Sequence, residues 1–446
     1  MLTSEEIRLA KEVVDMAMSN GADAARVTIE KSEGDLIDTL RGEIDNINYC
    51  LDRALTLTTF IDERRAIFTT NVIERKSLEQ FVRTALDMTR VIEKDRFQKL
   101  PEPDRCVKDA VTGREMDLYD DCYESITPEM RKARILDSCL NPKTPGDRYK
   151  IISEETHYSN SSLDVAQFDS QGLECRRTDT QYQYSSEVVI EGPDGAKESG
   201  YWWDTAVRFK DLNFKGISDI ALQKAVSKLG TGTIESGEYT MVVSTDVATK
   251  LVIPIIGALG GYSLQHKTSF LLDSLGKKIF GESLTLLDRP RDKGCIGSAM
   301  FDSEGVATKD RDIVRKGIVG TYFLDTYSAG KLGMEPTVED ATRIILQAYP
   351  HDGLSQRDIL NLCKDGILVT GFNGGNYNQT TGDFSYGVEG FLFRDGSIVK
   401  PIGGMLITGN YVDLWNRLIF AGSDARGCKA NRIPTLAFAD TTFSGI

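Results

Sequence analysis

A chain of 446 residues is too long for a single hydrophobic core and implies two or three domains. Its 40% hydrophobic and 27% charged content are those of an ordinary globular protein. A formal net charge of −14 speaks against nucleic-acid phosphate binding, which needs clustered Lys and Arg; Arg64-Arg65 and Lys277-Lys278 are isolated pairs.

The first block opens with a capped helix. Thr3 or Ser4 precedes Glu5-Glu6, and Ile7, Leu9, Ala10, Val13, Val14 and Ala17 recur at helical spacing until Asn20-Gly21 stops them. This acidic start lacks the basic-then-apolar pattern of an export signal. Strand-like runs follow at Ala25–Ile29 and Ala54–Phe60, and a second helix is predicted from Ser77 to Ile92. The charged stretch from Glu93 to Glu115 carries Pro101 and Pro103 and reads as a linker, which gives a domain at 1–95 and a linker at 96–118.

The second block, 119–230, repeats that order. A helix near Pro128–Cys139 precedes strands around Tyr149–Ile152, Leu163–Ala166, Gln181–Ile190 and Tyr201–Phe209, and a helix from Ser218 to Leu229 closes it. The third block, 231–446, starts with a strand at Tyr239–Val243 and a helical segment ending near Gly260-Gly261; an amphipathic helix is predicted over Thr337–Leu346. From Thr370 onward glycine recurs between short β-prone runs such as Gly390–Phe393 and Gly404–Ile407. That pattern predicts antiparallel strands, with glycines where another backbone can approach. The expected fold class is α+β: two helix-on-antiparallel-sheet N-terminal blocks followed by a large β-rich C-terminal domain.

The chemistry is sparse. The longest apolar run, Leu251–Leu259, holds a proline and a glycine and is far short of a membrane span. None of the eight cysteines forms a Cys-x-x-Cys pair, so they read as separate reduced thiols of a cytoplasmic protein. The three histidines, His157, His266 and His351, lie too far apart for two to share a helix face. His157 after Glu154-Glu155 and His351 before Asp352 each offer half a metal site, and read better as strand-edge or turn residues. No nucleophile elbow, phosphate loop or dinucleotide fingerprint is present. Cys295, between Gly294 and Gly297, is a candidate nucleophile weighed against a small residue in a turn.

The tail carries a likeness. Leu368-Val369-Thr370, Thr380–Ser385, Gly387–Phe391, Pro401-Ile402 leading to Ile407–Asn410, and Pro434–Leu436 through Ser444-Gly445 together resemble the C-terminal region of the TldD/TldE family, whose second member is also called PmbA. Lys267–Leu271, Leu275–Lys277 and Leu284–Pro290 extend the match upstream.

The resemblance implies a two-subunit, zinc-dependent peptidase in which one subunit carries a His-Glu-x-x-x-His helix and the other lacks it. That helix is expected between Tyr239–Val243 and Lys267-Thr268-Ser269. Here Val247–Gln265 reads VATKLVIPIIGALGGYSLQ, with no histidine and no glutamate. Cys428 lies near the expected position of a third, cysteine ligand, but without the histidines it is not assigned to a metal.

The chain therefore resembles the TldE/PmbA-type subunit, with no catalytic residue, metal ligand or cofactor of its own and zinc in a TldD-type partner. Its expected role is in proteolysis of unfolded or leader peptides, which would add as a strand to a sheet edge. The candidate peptide contacts are Asn373, Gly374, Gly375, Asn376, Thr381 and Gly382. The alternatives are a stand-alone homodimeric peptide-binding protein and, from the family's other name, an indirect modulator of DNA gyrase. Neither nucleic acid nor membrane is expected as a direct partner.

Overall fold

The computed structural model describes residues 1–140 and 148–445. The chain forms two compact units, one of residues 1–225, 291–308 and 325–338, the other of residues 226–290, 309–324 and 339–446.

The first unit begins as its sequence dictates. In α1 (Ser4–Ser19) the Thr3 hydroxyl accepts from the Glu6 N–H while the Glu6 carboxylate accepts from the Thr3 N–H at 2.7 Å, a reciprocal cap. Helix α2 (Arg75–Thr89) packs beside it, and Leu9, Val13 and Val82 join a core with Val27, Ile29, Leu55 and Leu57. Those four belong to β1 (Ala24–Leu40) and β2 (Glu43–Ile61), which continue into β3 (Arg64–Thr70). After α3 (Pro128–Leu136) come β4 (Lys150–Asp169), β5 (Glu174–Glu191), β6 (Lys197–Ala206) and α4 (Ile217–Ser227).

All six strands form one sheet in the order β3-β2-β1-β4-β5-β6. Its seam is the β1–β4 pairing, with Ile29 opposite Ala166 and Ile37 opposite Tyr158. The two N-terminal blocks of the sequence thus share one sheet. A second cluster on it is tyrosine-rich, joining Tyr158, Tyr182 and Tyr184 to Ile135 and Phe214. The stretch 96–118 is irregular in backbone, as its prolines dictate, yet Leu100, Cys106, Val107 and Ala110 are buried. Val107 N–H donates to the Gly305 carbonyl at 2.9 Å, so residues 291–308 pack into this unit. So does α7 (Thr326–Leu332).

The second unit holds β7 (Gly237–Val243), α5 (Thr249–Leu259), α6 (Gly261–Gln265), α8 (Gln356–Cys363), β12 (Gly366–Tyr377), β13 (Asp383–Arg394), β14 (Ser397–Asn410), α9 (Tyr411–Asn416), β15 (Leu418–Ala421) and β16 (Leu436–Gly445). A small sheet comprises β8 (Leu286–Asp288), β9 (Arg311–Arg315), β10 (Ile318–Val319) and β11 (Ile344–Leu346). The larger sheet runs β14-β13-β12-β7-β16 and closes on itself where Ile407 of β14 pairs with Phe443 of β16. Closure leaves neither β14 nor β16 as the free edge of an open sheet.

The fold is the α+β class with a β-rich C-terminal region that the sequence implies. One predicted element is absent. The stretch Thr337–Leu346 is irregular and ends in β11, because the buried Asp288 carboxylate accepts the Thr342 and Arg343 N–H groups at 3.2 and 2.9 Å, and Pro336 precedes it. Among the described residues no helix is long and apolar enough to cross a membrane.

Candidate functional site

Strand β7 runs into a turn at Ser244, whose carbonyl takes the Val247 and Ala248 N–H groups, and the chain enters α5. Seven apolar side chains of α5, from Leu251 to Leu259, are buried. Besides the half-buried Thr249 at its first position, it leaves outward Lys250, Ile253 and the half-buried Gly257, spaced three and four residues apart along one stripe.

The turn between β12 and β13 docks on that stripe. Gln379 Nε2 donates to the Gly257 carbonyl at 3.1 Å and to Ser263 Oγ at 2.5 Å, while Ser263 Oγ donates to the same carbonyl at 2.8 Å. The Phe270 N–H donates to the Gln379 carbonyl at 2.9 Å. Beneath the turn the Tyr386 and Tyr411 hydroxyls are 2.9 Å apart, and Lys250 Nζ lies 5.2 Å from the centre of the Tyr386 ring. Burial, reinforced by the Tyr386 hydroxyl, pushes the Tyr411 phenol well above its ordinary range, so it stays protonated.

Local chemistry fixes the turn. Asn378 Oδ1 accepts from the Thr380 N–H at 2.9 Å, and the Gly382 N–H returns to the Asn378 carbonyl at 2.8 Å. Gly382 takes a φ of +81°. The Thr381 hydroxyl donates to Asp383 at 2.6 Å and Asn410 Nδ2 donates to it at 2.9 Å; in that order they hold the Asp383 carboxyl below its usual range.

The six candidate peptide contacts fall on this one hairpin. Asn373, Gly374, Gly375 and Asn376 are exposed and form a bulge, where the ladder slips between Asn373–Gly387 and Asn376–Ser385. Gly374 and Gly375 supply the φ values of +66° and +83° that it requires. Thr381 is exposed at the turn and Gly382 is buried there. The strand glycines behave differently. A Cβ at Gly387 or Gly390 would lie 2.3 Å from the Asn373 carbonyl oxygen or 1.9 Å from that of Leu368. The backbone approaching these two glycines is the chain's own β12.

The donor set at α5 does not fit a divalent metal. Residues 247–265 offer neither histidine nor glutamate. The segment around Cys428 does meet the start of α5, but through cations: Lys429 Nζ donates to the Thr245 and Asp246 carbonyls at 2.9 Å each, and Arg426 Nη1 lies 3.8 Å from Asp246 Oδ1. Among the described residues no three His, Cys, Asp or Glu side chains converge. His157 pairs with Asp38 at 2.8 Å, His266 lies against the Tyr262 ring, and His351 sits by the Asp352 carbonyl at 3.0 Å. Cys295 is in a turn, its carbonyl taking the Ser298 N–H at 3.1 Å.

Lys250, Gln379 and Lys429 are not among the residues that the sequence singles out. The Asn378–Gly382 turn chemistry would have pointed to Gln379. Nothing local marks Lys429, which reaches across 184 residues to Thr245.

Comparison with known proteins finds relatives along the whole chain. Residues 236–445 match the PmbA/TldA metallopeptidase C-terminal domain and residues 125–229 the central domain of that family. The chain is 29% identical over 423 residues to the metalloprotease PmbA of Escherichia coli O157:H7, covering 94% of this chain and 92% of that one. It is 25% identical to a metalloprotease TldD homologue of Buchnera aphidicola subsp. Acyrthosiphon pisum, over 49% of this chain and 47% of that one. A crystal structure from Bacteroides thetaiotaomicron, of a protein described as a candidate modulator of DNA gyrase, is 36% identical and superimposes over all of both chains with a TM-score of 0.95. TldE of Thermococcus kodakarensis shares the fold, with a TM-score of 0.82 at 18% identity over 98% of this chain and all of that one.

Proposed function

Because the chain belongs to the PmbA/TldD metallopeptidase family, we propose that it is the non-cutting subunit of a TldD-type zinc peptidase complex in the cytoplasm, and that it presents unfolded or leader peptides to the partner. The observation that carries this reading is the outward stripe of α5. It bears Lys250, Ile253 and Gly257, with Lys429 and Arg426 at its start, where a metal-binding face would need imidazole and carboxylate. Zinc held by the partner would supply the polarised water. This chain's contribution is the β12–β13 hairpin, whose bulge residues Asn373–Asn376 are exposed and whose turn is fixed on α5 through Gln379. An extended peptide alongside such a hairpin is held through its main chain, with little dependence on its sequence.

The test is reconstitution with a homologue that carries His-Glu-x-x-x-His. Cleavage of an unfolded peptide should require both chains, and zinc should be lost when the partner's histidines are replaced. Stoichiometric zinc in this chain alone, or cleavage by the partner that is indifferent to its addition, would overturn the reading.

A further inference from the structure

In an asparagine–glycine pair the backbone can attack its own side chain, because glycine puts no Cβ beside the nitrogen that must approach. The chain holds two such pairs, Asn20-Gly21 and Asn373-Gly374, and both are exposed. Their surroundings differ. Asn20 closes α1: its Nδ2 donates to the Met16 carbonyl at 2.7 Å, and its own carbonyl accepts from Arg90 Nη2 at 3.2 Å. The Gly21 N–H donates to the Met18 carbonyl at 3.1 Å. The amide that would be attacked and the nitrogen that would attack it are both held.

Asn373 enters the bulge of the β12–β13 hairpin. Gly374 and Gly375 fall outside the ladder, between the Asn373–Gly387 and Asn376–Ser385 pairs. Nothing lies within 4 Å of a Cβ built at Gly374. The Asn373 Nδ2 contact to Glu389 Oε2 is 3.5 Å long, the outer limit of a hydrogen bond. Glu389 Oε1 accepts from Lys228 Nζ at 3.0 Å.

We propose that Asn373 is a site of spontaneous modification, converted in the folded chain to a mixture of aspartate and isoaspartate. The Gly374 nitrogen gives its proton to water and bonds to Asn373 Cγ. The Cγ–Nδ2 bond then breaks, and the amide nitrogen takes a proton from water and leaves as ammonia. One further water opens the resulting cyclic imide at either carbonyl. Opening at one leaves an aspartate; opening at the other routes the main chain through Cγ and adds a methylene to the backbone at the bulge. Either product carries a new carboxylate beside Glu389, its diagonal neighbour across the ladder, where like charges repel. The consequence for function rests on the reading of this hairpin as the peptide-holding element. Negative charge then arises among the contacts Asn373–Asn376 as the chain ages, and peptide handling falls with it.

The test is to incubate the full chain at mildly alkaline pH and follow its proteolytic peptides by mass spectrometry, with fragmentation that separates aspartate from isoaspartate. Conversion at Asn373 should run roughly 30-fold faster than at Asn20, where two hydrogen bonds must open first. Asn373→Gln should stay unmodified, because its longer side chain closes a ring slowly. Gly374→Ala, with a methyl group beside the attacking nitrogen, should bring the rate at Asn373 down to that at Asn20 or below. Equal rates at the two sites in the unaltered chain, no conversion at either, or a lasting loss of ammonia with Lys228 joined to Asn373 would each overturn the proposal. Asn373→Asp reads the consequence separately, and cleavage by the reconstituted complex should fall. Conversion at Asn373 with undiminished cleavage by Asn373→Asp would uphold the modification and remove the hairpin from peptide handling instead.

Discussion

Replacing Gly390 by alanine places a methyl group 1.9 Å from the Leu368 carbonyl oxygen, 2.9 Å from its carbon and 3.0 Å from Val369 Cα. All three are backbone atoms of β12, which cannot swing aside as a side chain would. The backbone of Gly390 is not in the left-handed region, so the cost is contact and not conformation. Overpacking against a rigid neighbour costs about 3 kcal/mol at the upper end of its usual range, and opening the ladder at the slip between Val369 and Gly371 loses a hydrogen bond worth about 1 kcal/mol. Gly374→Ala, on the same hairpin, is the matched control. Nothing lies within 4 Å of its added Cβ, and its φ of +66° costs an alanine about 1 kcal/mol. Hydrogen exchange of peptides spanning 366–394, read by mass spectrometry, measures the local opening free energy of the hairpin in each variant. The expected order is a loss of about 4 kcal/mol for Gly390→Ala against about 1 kcal/mol for Gly374→Ala. Equal losses would refute the claim that close approach of β12 is what reserves position 390 for glycine.

Gly200→Ala tests the same physics in the first unit: its Cβ would sit 2.0 Å from the Ala221 carbonyl oxygen and 2.5 Å from the Ala225 nitrogen of α4, and a loss of about 3 kcal/mol in urea unfolding is expected. Glu6 gives the pH test. Burial pushes its pKa up, but the Thr3 N–H, the Arg53 guanidinium and the Thr3 hydroxyl outweigh it and hold the carboxyl below its ordinary 4.5. Its stabilisation is therefore present above about pH 4.5 and lost as pH falls through the lower folded value, so Glu6→Gln should flatten the acid limb of a melting-temperature profile. An unchanged limb would count against the cap. Gln379→Ala removes two hydrogen bonds, but Ser263 still donates to Gly257, so stability should fall by only about 1 kcal/mol while cleavage by the reconstituted complex drops. Unaltered cleavage would leave the turn a purely structural element.

Local signals were legible wherever the chain's own neighbours decide the structure. Thr3 and Glu6 announced α1, and Tyr239–Val243 became β7. Illegible were the decisions made at a distance. The alternation in β1 says that it is a strand but not that β4 lies beside it, so the union of the two N-terminal blocks in one sheet has no local signature. Thr337–Leu346 has helical periodicity, yet the carboxylate of Asp288, 54 and 55 residues upstream, claims two of its N–H groups. The glycines of the tail were readable as strand glycines; that β12 was the approaching backbone was not.

The chemistry of α5 decides what a metal site on it would require. Its inward face is apolar and buried, so any ligand would have to be placed on the outward stripe at Lys250, Ile253 or Gly257. Pro254 lacks the N–H that would otherwise bond the Lys250 carbonyl, and Gly257 already gives its carbonyl to Gln379 and Ser263. At the start of the helix Lys429 and Arg426 converge on residues 245 and 246. A unit charge pair about 4 Å apart is worth about 4 kcal/mol in a partly screened protein setting, and a dication doubles it. Histidines grafted onto the stripe would thus bring zinc in against nearby lysine and arginine charge, so recovery of metal binding needs those cations removed as well as ligands supplied.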